Sequence, residues 1–168
     1  EPSDIVHLEN GKLVKSDRKE KDRFFYCAYI EKIVDGDTLW AAIDIGFGEI
    51  ARQKLRLRGI DAPELTMRSG QRVSKSIKEM LPTGSPILLH TSSAPNHDRF
   101  VADVYVPVNE SSKQTVETWM KKRGKEPSGA SLSSSSTLEI EGQSYYFLNN
   151  LLLELGLAGR LKESAQWI

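Results

Sequence analysis

A single cysteine, Cys27, rules out an internal disulfide. Set in an apolar run, it reads as a small buried hydrophobe. Histidine is nearly as scarce. His7, His90 and His97 are scattered, and none has a cysteine or a second histidine at zinc-ligand spacing. Any metal held by this chain would therefore be a hard cation on oxygen ligands, chiefly carboxylates. A long apolar run is also missing. The best stretch, Tyr145 to Leu155, is broken by Asn149, Asn150 and Glu154, short of the about 20 residues a membrane helix needs. Neither charge is in excess, with 23 Lys plus Arg against 23 Asp plus Glu. A protein that only holds nucleic acid usually carries a basic surplus, so any anion-binding charge here must be concentrated locally. The opening Glu1-Pro2-Ser3 carries no signal-peptide pattern and reads as a mature or trimmed start.

What is present suits one globular domain. The 168 residues are 39% apolar and 27% charged, enough for a single core and too few for two large ones. Residues 1–23 are polar, with an Asn10-Gly11 turn signal suited to a small hairpin or an arm. Phe24 to Val34 is rich in aromatic and β-branched residues. From Leu39 to Ile45, Leu39, Ala41, Ile43 and Ile45 alternate with Trp40, Ala42 and Asp44, as in a half-buried strand. The Gly36 turn joins these two strands, Gly46 and Gly48 mark the next turn, and Ile50 to Ile60 supplies a third strand. Pro63 stops the strand pattern. Val73, Ile77, Met80 and Leu81 then recur at helical spacing, and Pro82 and Gly84 end that helix.

Two further strands are predicted over Ile87 to Thr91 and Val101 to Val106. Residues 109–137 read as an insertion, because Lys121-Lys122-Arg123, Lys125 and the serines Ser133 to Ser136 bury little. Its middle is expected to be a mobile loop that the chemistry can do without. Leu138 to Ile140 returns as a strand. A last helix is predicted over Phe147 to Leu155, burying Phe147, Leu148, Leu151, Leu152 and Leu155, with Gly156 as its cap. The fold class is α+β, mainly β: a five-stranded OB-type barrel with two or three helices packed on it. The domain proper spans 24–160, followed by a short tail, 161–168.

Three short segments carry charges that such a fold does not require. They are Asp35-Gly36-Asp37-Thr38, the run Arg56-Leu57-Arg58-Gly59-Ile60-Asp61-Ala62-Pro63-Glu64, and Arg99 ahead of Val101 to Val106. Singly, each has a plain structural reading: turn carboxylates, solvated strand arginines, a helix-start acid. Together they match the needs of phosphodiester chemistry. Two carboxylates and a backbone carbonyl suit Ca²⁺, which takes oxygen ligands. Two arginines can fork onto phosphate oxygens while staying charged. A further carboxylate can orient water and take its proton.

The run Ile33-Val34-Asp35-Gly36-Asp37-Thr38, followed by Arg56 through Asp61-Ala62-Pro63-Glu64, resembles the signature of the staphylococcal nuclease (thermonuclease) family. The likeness continues through His97-Asp98-Arg99-Phe100-Val101-Ala102-Asp103-Val104-Tyr105. It closes at Leu148-Asn149-Asn150 to Gly156-Leu157-Ala158, so it covers roughly residues 24–160. The resemblance implies Asp37, Asp61 and the Ala62 carbonyl as Ca²⁺ ligands. It implies Glu64 as the water-activating acid, and Arg56 and Arg99 as phosphate clamps. It further implies cleavage of DNA and RNA to 3′-phosphate products, by a protein of secreted or periplasmic habit. A monomer is expected.

The chain also departs from that pattern. Asn96-His97-Asp98 stand where the family's best-known member has Lys-Tyr-Gly, so a tyrosine able to pack on a nucleotide is replaced by His97. The 109–137 segment is longer than the corresponding loop, and Gly159-Arg160-Leu161-Lys162 has no tyrosines. Two other readings compete. One is a silent module of the same fold that binds nucleic acid or protein. The other is an OB-type single-strand binder using aromatic strand faces, for which Tyr26, Tyr29 and Trp40 are available but read more simply as core.

Overall fold

The computed structural model describes residues 6–15, 24–92, 100–121 and 136–161. Strands β1 (Val6–Glu9) and β2 (Lys12–Lys15) pair antiparallel around Asn10-Gly11, so this segment is a hairpin. Both turn residues have positive φ, 49° and 77°. That is the two-residue turn whose twist matches paired strands, and Asn-Gly tolerates it.

Strands β3 (Phe25–Ile33), β4 (Thr38–Asp44) and β5 (Ile50–Leu57) form the expected meander. A turn at Arg58-Gly59 leads to β6 (Ile60–Asp61), then α1 (Arg68–Met80), β7 (Pro86–Ser92) and β8 (Phe100–Pro107). β3 pairs with β7, β7 with β8, and β8 returns parallel to β5, with Arg56 opposite Val101. The order β5-β4-β3-β7-β8 thereby closes into a five-stranded barrel, the OB-type architecture. Ile30, Leu39, Ala41, Leu55, Ile87, Leu89 and Val104 fill its interior, and Val73 and Ile77 of α1 join them. Ile45, expected to face inward, is half exposed, because it lies past the end of β4 in the Gly46-Phe47-Gly48 turn.

The rest of the chain builds a second layer on the outside of the barrel. Helix α2 (Glu110–Lys121), β9 (Thr137–Ile140) and β10 (Gln143–Phe147) cover β3, β7 and β8, with β10 pairing to β8. Val116 and Trp119 pack with Phe25, Cys27, Leu88, Tyr105, Leu138, Ile140 and Tyr145 in a core separate from the barrel's. The expected 109–137 insertion is therefore helical where it begins; residues 122–135 lie outside the described part. Deleting from 113 onward would strip Val116 and Trp119 from Phe25 and Leu88, so the start of the segment is a packed helix rather than a loop. The same layer explains why Ile87-Leu88-Leu89 shows no alternation: both faces of β7 are buried. Among the described residues no helix is long and apolar enough to cross a membrane.

Helix α3 (Leu148–Glu154) follows, then β11 (Gly159–Arg160), which pairs with β6. Gly156 has φ 68°, and the Gly156 and Leu157 N–H groups donate to the Leu153 and Leu152 carbonyls at 3.1 and 2.9 Å. This is a Schellman ending, as the glycine suggested. Leu148 and Leu152 are buried, Phe147 and Leu151 partly so, and Leu155 is 53% exposed rather than buried, since it sits at the cap.

The polar residue on the inner face of α3 is Asn149, only 3% exposed. Its Oδ1 accepts the Val104 N–H at 3.0 Å, and its Nδ2 donates to the Arg58 and Ala102 carbonyls, each at 3.0 Å. One side chain thus ties α3 to β8 and to the turn after β5. Ala102 O also accepts the Arg58 N–H at 2.9 Å, so losing the amide strands two groups, Val104 N–H and Arg58 C=O. Asn149→Leu should therefore destabilise the fold by about 2–5 kcal/mol, read as a lower urea midpoint at unchanged slope.

Candidate functional site

The Asp35-Gly36-Asp37 turn lies between β3 and β4 at one end of the barrel. Asp35 Oδ1 accepts the Asp37 N–H at 3.0 Å, an Asx turn that sets the bend locally. Thr38 O then takes the Val34 N–H at 2.9 Å, and the Asp37 carbonyl takes the Leu57 N–H at 2.8 Å. The turn is thereby fixed to both its own hairpin and β5.

Asp37 is 3% exposed, and both oxygens of its carboxylate have partners. Oδ2 accepts the Ala62 N–H at 2.7 Å, Oδ1 accepts the Thr38 hydroxyl at 2.9 Å, and Oδ1 also ion-pairs with Arg56 Nη1. Arg56 reaches its other way to Asp61. Nη2 donates to Asp61 Oδ1 at 2.9 Å and to the Ile60 carbonyl at 3.1 Å. Asp37 and Asp61, far apart in sequence, are thus brought onto one guanidinium. Their settings differ: the Asp61 side chain is largely exposed, whereas that of Asp37 is almost wholly enclosed.

Burial raises the Asp37 pKa above the ordinary carboxylate value, and the nearby Asp35 charge adds to this. The Ala62 N–H, Arg56 and the Thr38 hydroxyl pull it back without cancelling the rise. The fold keeps a carboxylate here although its charge is poorly solvated.

Two glycines let the pieces approach. A Cβ on Gly36 would fall 2.5 Å from Ala62 Cβ and 2.7 Å from Val73 Cγ1, and one on Gly70 would overlap the Glu64 carbonyl. Gly36 therefore seats the Asp37 turn against both Ala62 and α1, and Gly70 seats α1 under the Pro63-Glu64 backbone. From the sequence Gly36 was legible only as a turn residue, and Gly70 not at all. The C-terminal strand braces the same place: Gly159 pairs with Asp61, and the Leu161 N–H donates to the Gly59 carbonyl at 3.0 Å.

Of the residues singled out in the sequence, Asp37, Arg56, Asp61 and Ala62 therefore meet directly. Glu64 lies three residues after Asp61 in the same turn, exposed, where Oε2 accepts a long 3.4 Å hydrogen bond from Thr66. Its carboxylate makes no ion pair with Arg56, and among the described residues no three acids gather into a metal-holding group. Arg99 lies outside the described residues. Arg58 has a different task. It forks onto buried Asp103, Nε to Oδ1 at 2.9 Å and Nη2 to Oδ2 at 2.7 Å, and this hydrogen bonding raises the Arg58 pKa. The two carboxylates, Asp37 and Asp61, offer oxygen ligands, which fit a hard divalent cation rather than zinc, while the Ala62 backbone atom seen at the cluster is the N–H that donates to Asp37. The enclosed Asp37 charge is what such a cation would offset.

Two measurements test this geometry. Gly36→Ala should destabilise the protein by about 1–3 kcal/mol, the usual penalty of overpacking, with the loss seen in urea unfolding. The second concerns Asp37. A carboxyl whose pKa is raised on folding contributes stability that is fully present below its unfolded pKa. That contribution is lost as pH rises through the folded pKa. Without divalent cations, the wild type should therefore lose stability relative to Asp37→Asn as pH climbs out of the carboxylate range. A wild type that gains on the variant over that interval would contradict the assignment. A scan against family models finds no match for this chain, and a search of curated proteins finds none either.

Proposed function

We propose that this chain is a Ca²⁺-dependent phosphodiesterase that hydrolyses DNA and RNA to 3′-phosphate products. The observation that carries the reading is the convergence of Asp37 and Asp61 on Arg56, beside the Ala62 backbone, at one end of an OB-type barrel. The resemblance of the ordered segments around these residues to the staphylococcal nuclease family supports it.

Asp37, Asp61 and the Ala62 carbonyl would hold Ca²⁺, whose chemistry there is to mask the negative charge of the phosphate. Arg56 is held in place by the Ile60 carbonyl and by two carboxylates, so its fork is oriented before a phosphate arrives. It would donate to the phosphate oxygens as charge builds on them, with Arg99 as the second clamp. Glu64 faces solvent next to this cluster, which suits a group that takes a proton from the attacking water. Water oxygen bonds to phosphorus as the bond to the 5′-oxygen breaks. The 5′-oxygen leaves with a proton, and the phosphate stays on the 3′ side.

The test is cleavage of single-stranded DNA with Ca²⁺ and then with chelator. Glu64→Gln and Arg56→Lys should each lower kcat by about 10²–10³-fold while remaining folded by circular dichroism. The lysine keeps the charge and loses the fork. A folded wild type that binds DNA without cutting it would make the chain a silent binding module instead.

A further inference from the structure

Trp40 is 37% exposed on the outer face of β4, where the sequence suggested a core position. Strand register shows its surroundings. Trp40 lies opposite Lys32 of β3 on one side and Lys54 of β5 on the other. Register partners in antiparallel strands share a face, with Cβ atoms about 5 Å apart. An indole is therefore flanked by two lysines in one cross-strand row. Among the described residues neither lysine has an ion-pair partner, whereas nearby Arg52 is already held by Glu31 at 2.7 Å. Two residues from Lys54 along the same face of β5, about 7 Å away, stands Arg56.

We propose that this row is a binding track for single-stranded nucleic acid, leading away from the Arg56 cluster. A base would stack on Trp40 while Lys32 and Lys54 meet the phosphates on either side of it. An exposed aromatic between cations is the pattern that holds a strand without reading its sequence, since every base has a π-face and every linkage a charge. A polynucleotide fits better than a protein because the row offers one apolar plate between two separate charges, not a continuous apolar patch. The proposal rests on the phosphodiesterase reading only for what lies at the far end of the track.

The experiment uses the full chain with Glu64→Gln, in Ca²⁺, and a fluorescein-labelled oligothymidylate of twelve or so residues. Adding Trp40→Ala, or Lys32→Glu with Lys54→Glu, should weaken binding about tenfold or more. The charge variants should also flatten the salt dependence, and Trp40→Tyr should restore much of the affinity. With Glu64 intact, the same variants should lower kcat/KM on the long strand but not on thymidine 5′-nitrophenyl phosphate, which is too short to reach the track. Unchanged oligonucleotide binding in Trp40→Ala overturns the proposal. So does an equal loss on the small substrate, which would make Trp40 a support of the cluster, or binding of anionic vesicles in place of DNA. Binding that depends on Trp40 in a wild type that cuts neither substrate leaves the track standing and removes the phosphodiesterase reading.

Discussion

Almost out of reach of water, the Asp37 carboxylate accepts from Ala62, from Thr38 and from Arg56 at once. Each partner belongs to a different piece of chain: the turn before α1, the start of β4, and β5. A buried carboxylate left short of partners is expensive, by several kcal/mol for an uncompensated charge, so these three pieces are held in one arrangement. Arg56 extends the constraint to Asp61, and through the β6–β11 pairing to the C-terminal strand. Most of what defines the candidate site is a consequence of satisfying this one acid.

Satisfying it also requires close approach, and here two absent side chains matter as much as the present ones. Gly36 and Gly70 remove the Cβ atoms that would keep the Asp37 turn, the Pro63-Glu64 turn and α1 apart. Asn149 makes the matching connection from the other side, holding α3 against β8 and the Arg58 carbonyl. Helix α1 thus seats the turns of the site directly, and α3 fixes the turn after β5 that leads into Asp61.

The barrel was legible because its signals are local. Alternation in β4, the Asn10-Gly11 and Gly36 turns, the Pro82 stop and the Gly156 cap each act within a few residues, and the structure carries all of them. The segments that meet at the site were legible too, since Asp37, Arg56 and Asp61 stood out by type. What was not legible depends on distant partners. Arg56 at the end of β5 and Arg58 just after it look alike in sequence, yet one meets Asp37 and the other Asp103, 45 residues on. Helix α2 was hidden because the basic run from Lys121 and the serines Ser133 to Ser136 set the character of the whole segment, while the apolar residues that hold the helix down, Val116, Trp119 and Met120, are few. β7 lacked alternation for the opposite reason, both of its faces being covered. Trp40 read as core because indoles usually are; its exposure, on the face of β4 opposite Leu39 and Ala41, places it outside.

A net charge of zero therefore describes a sum over unlike neighbourhoods. Arg58 is committed to Asp103 and Arg52 to Glu31, and both pairs are complete as they stand. Arg56 is shared between two acids in different surroundings, one enclosed and one exposed. An anion arriving at Arg56 competes with both carboxylates, and the enclosed one gives up its counter-charge least easily, because little water can replace it. On the proposed function, a cation joining the carboxylates would resolve that competition and free the guanidinium for the anion. Phosphate and divalent cation would then favour each other's binding through Arg56, although the chain as a whole carries no charge to attract either.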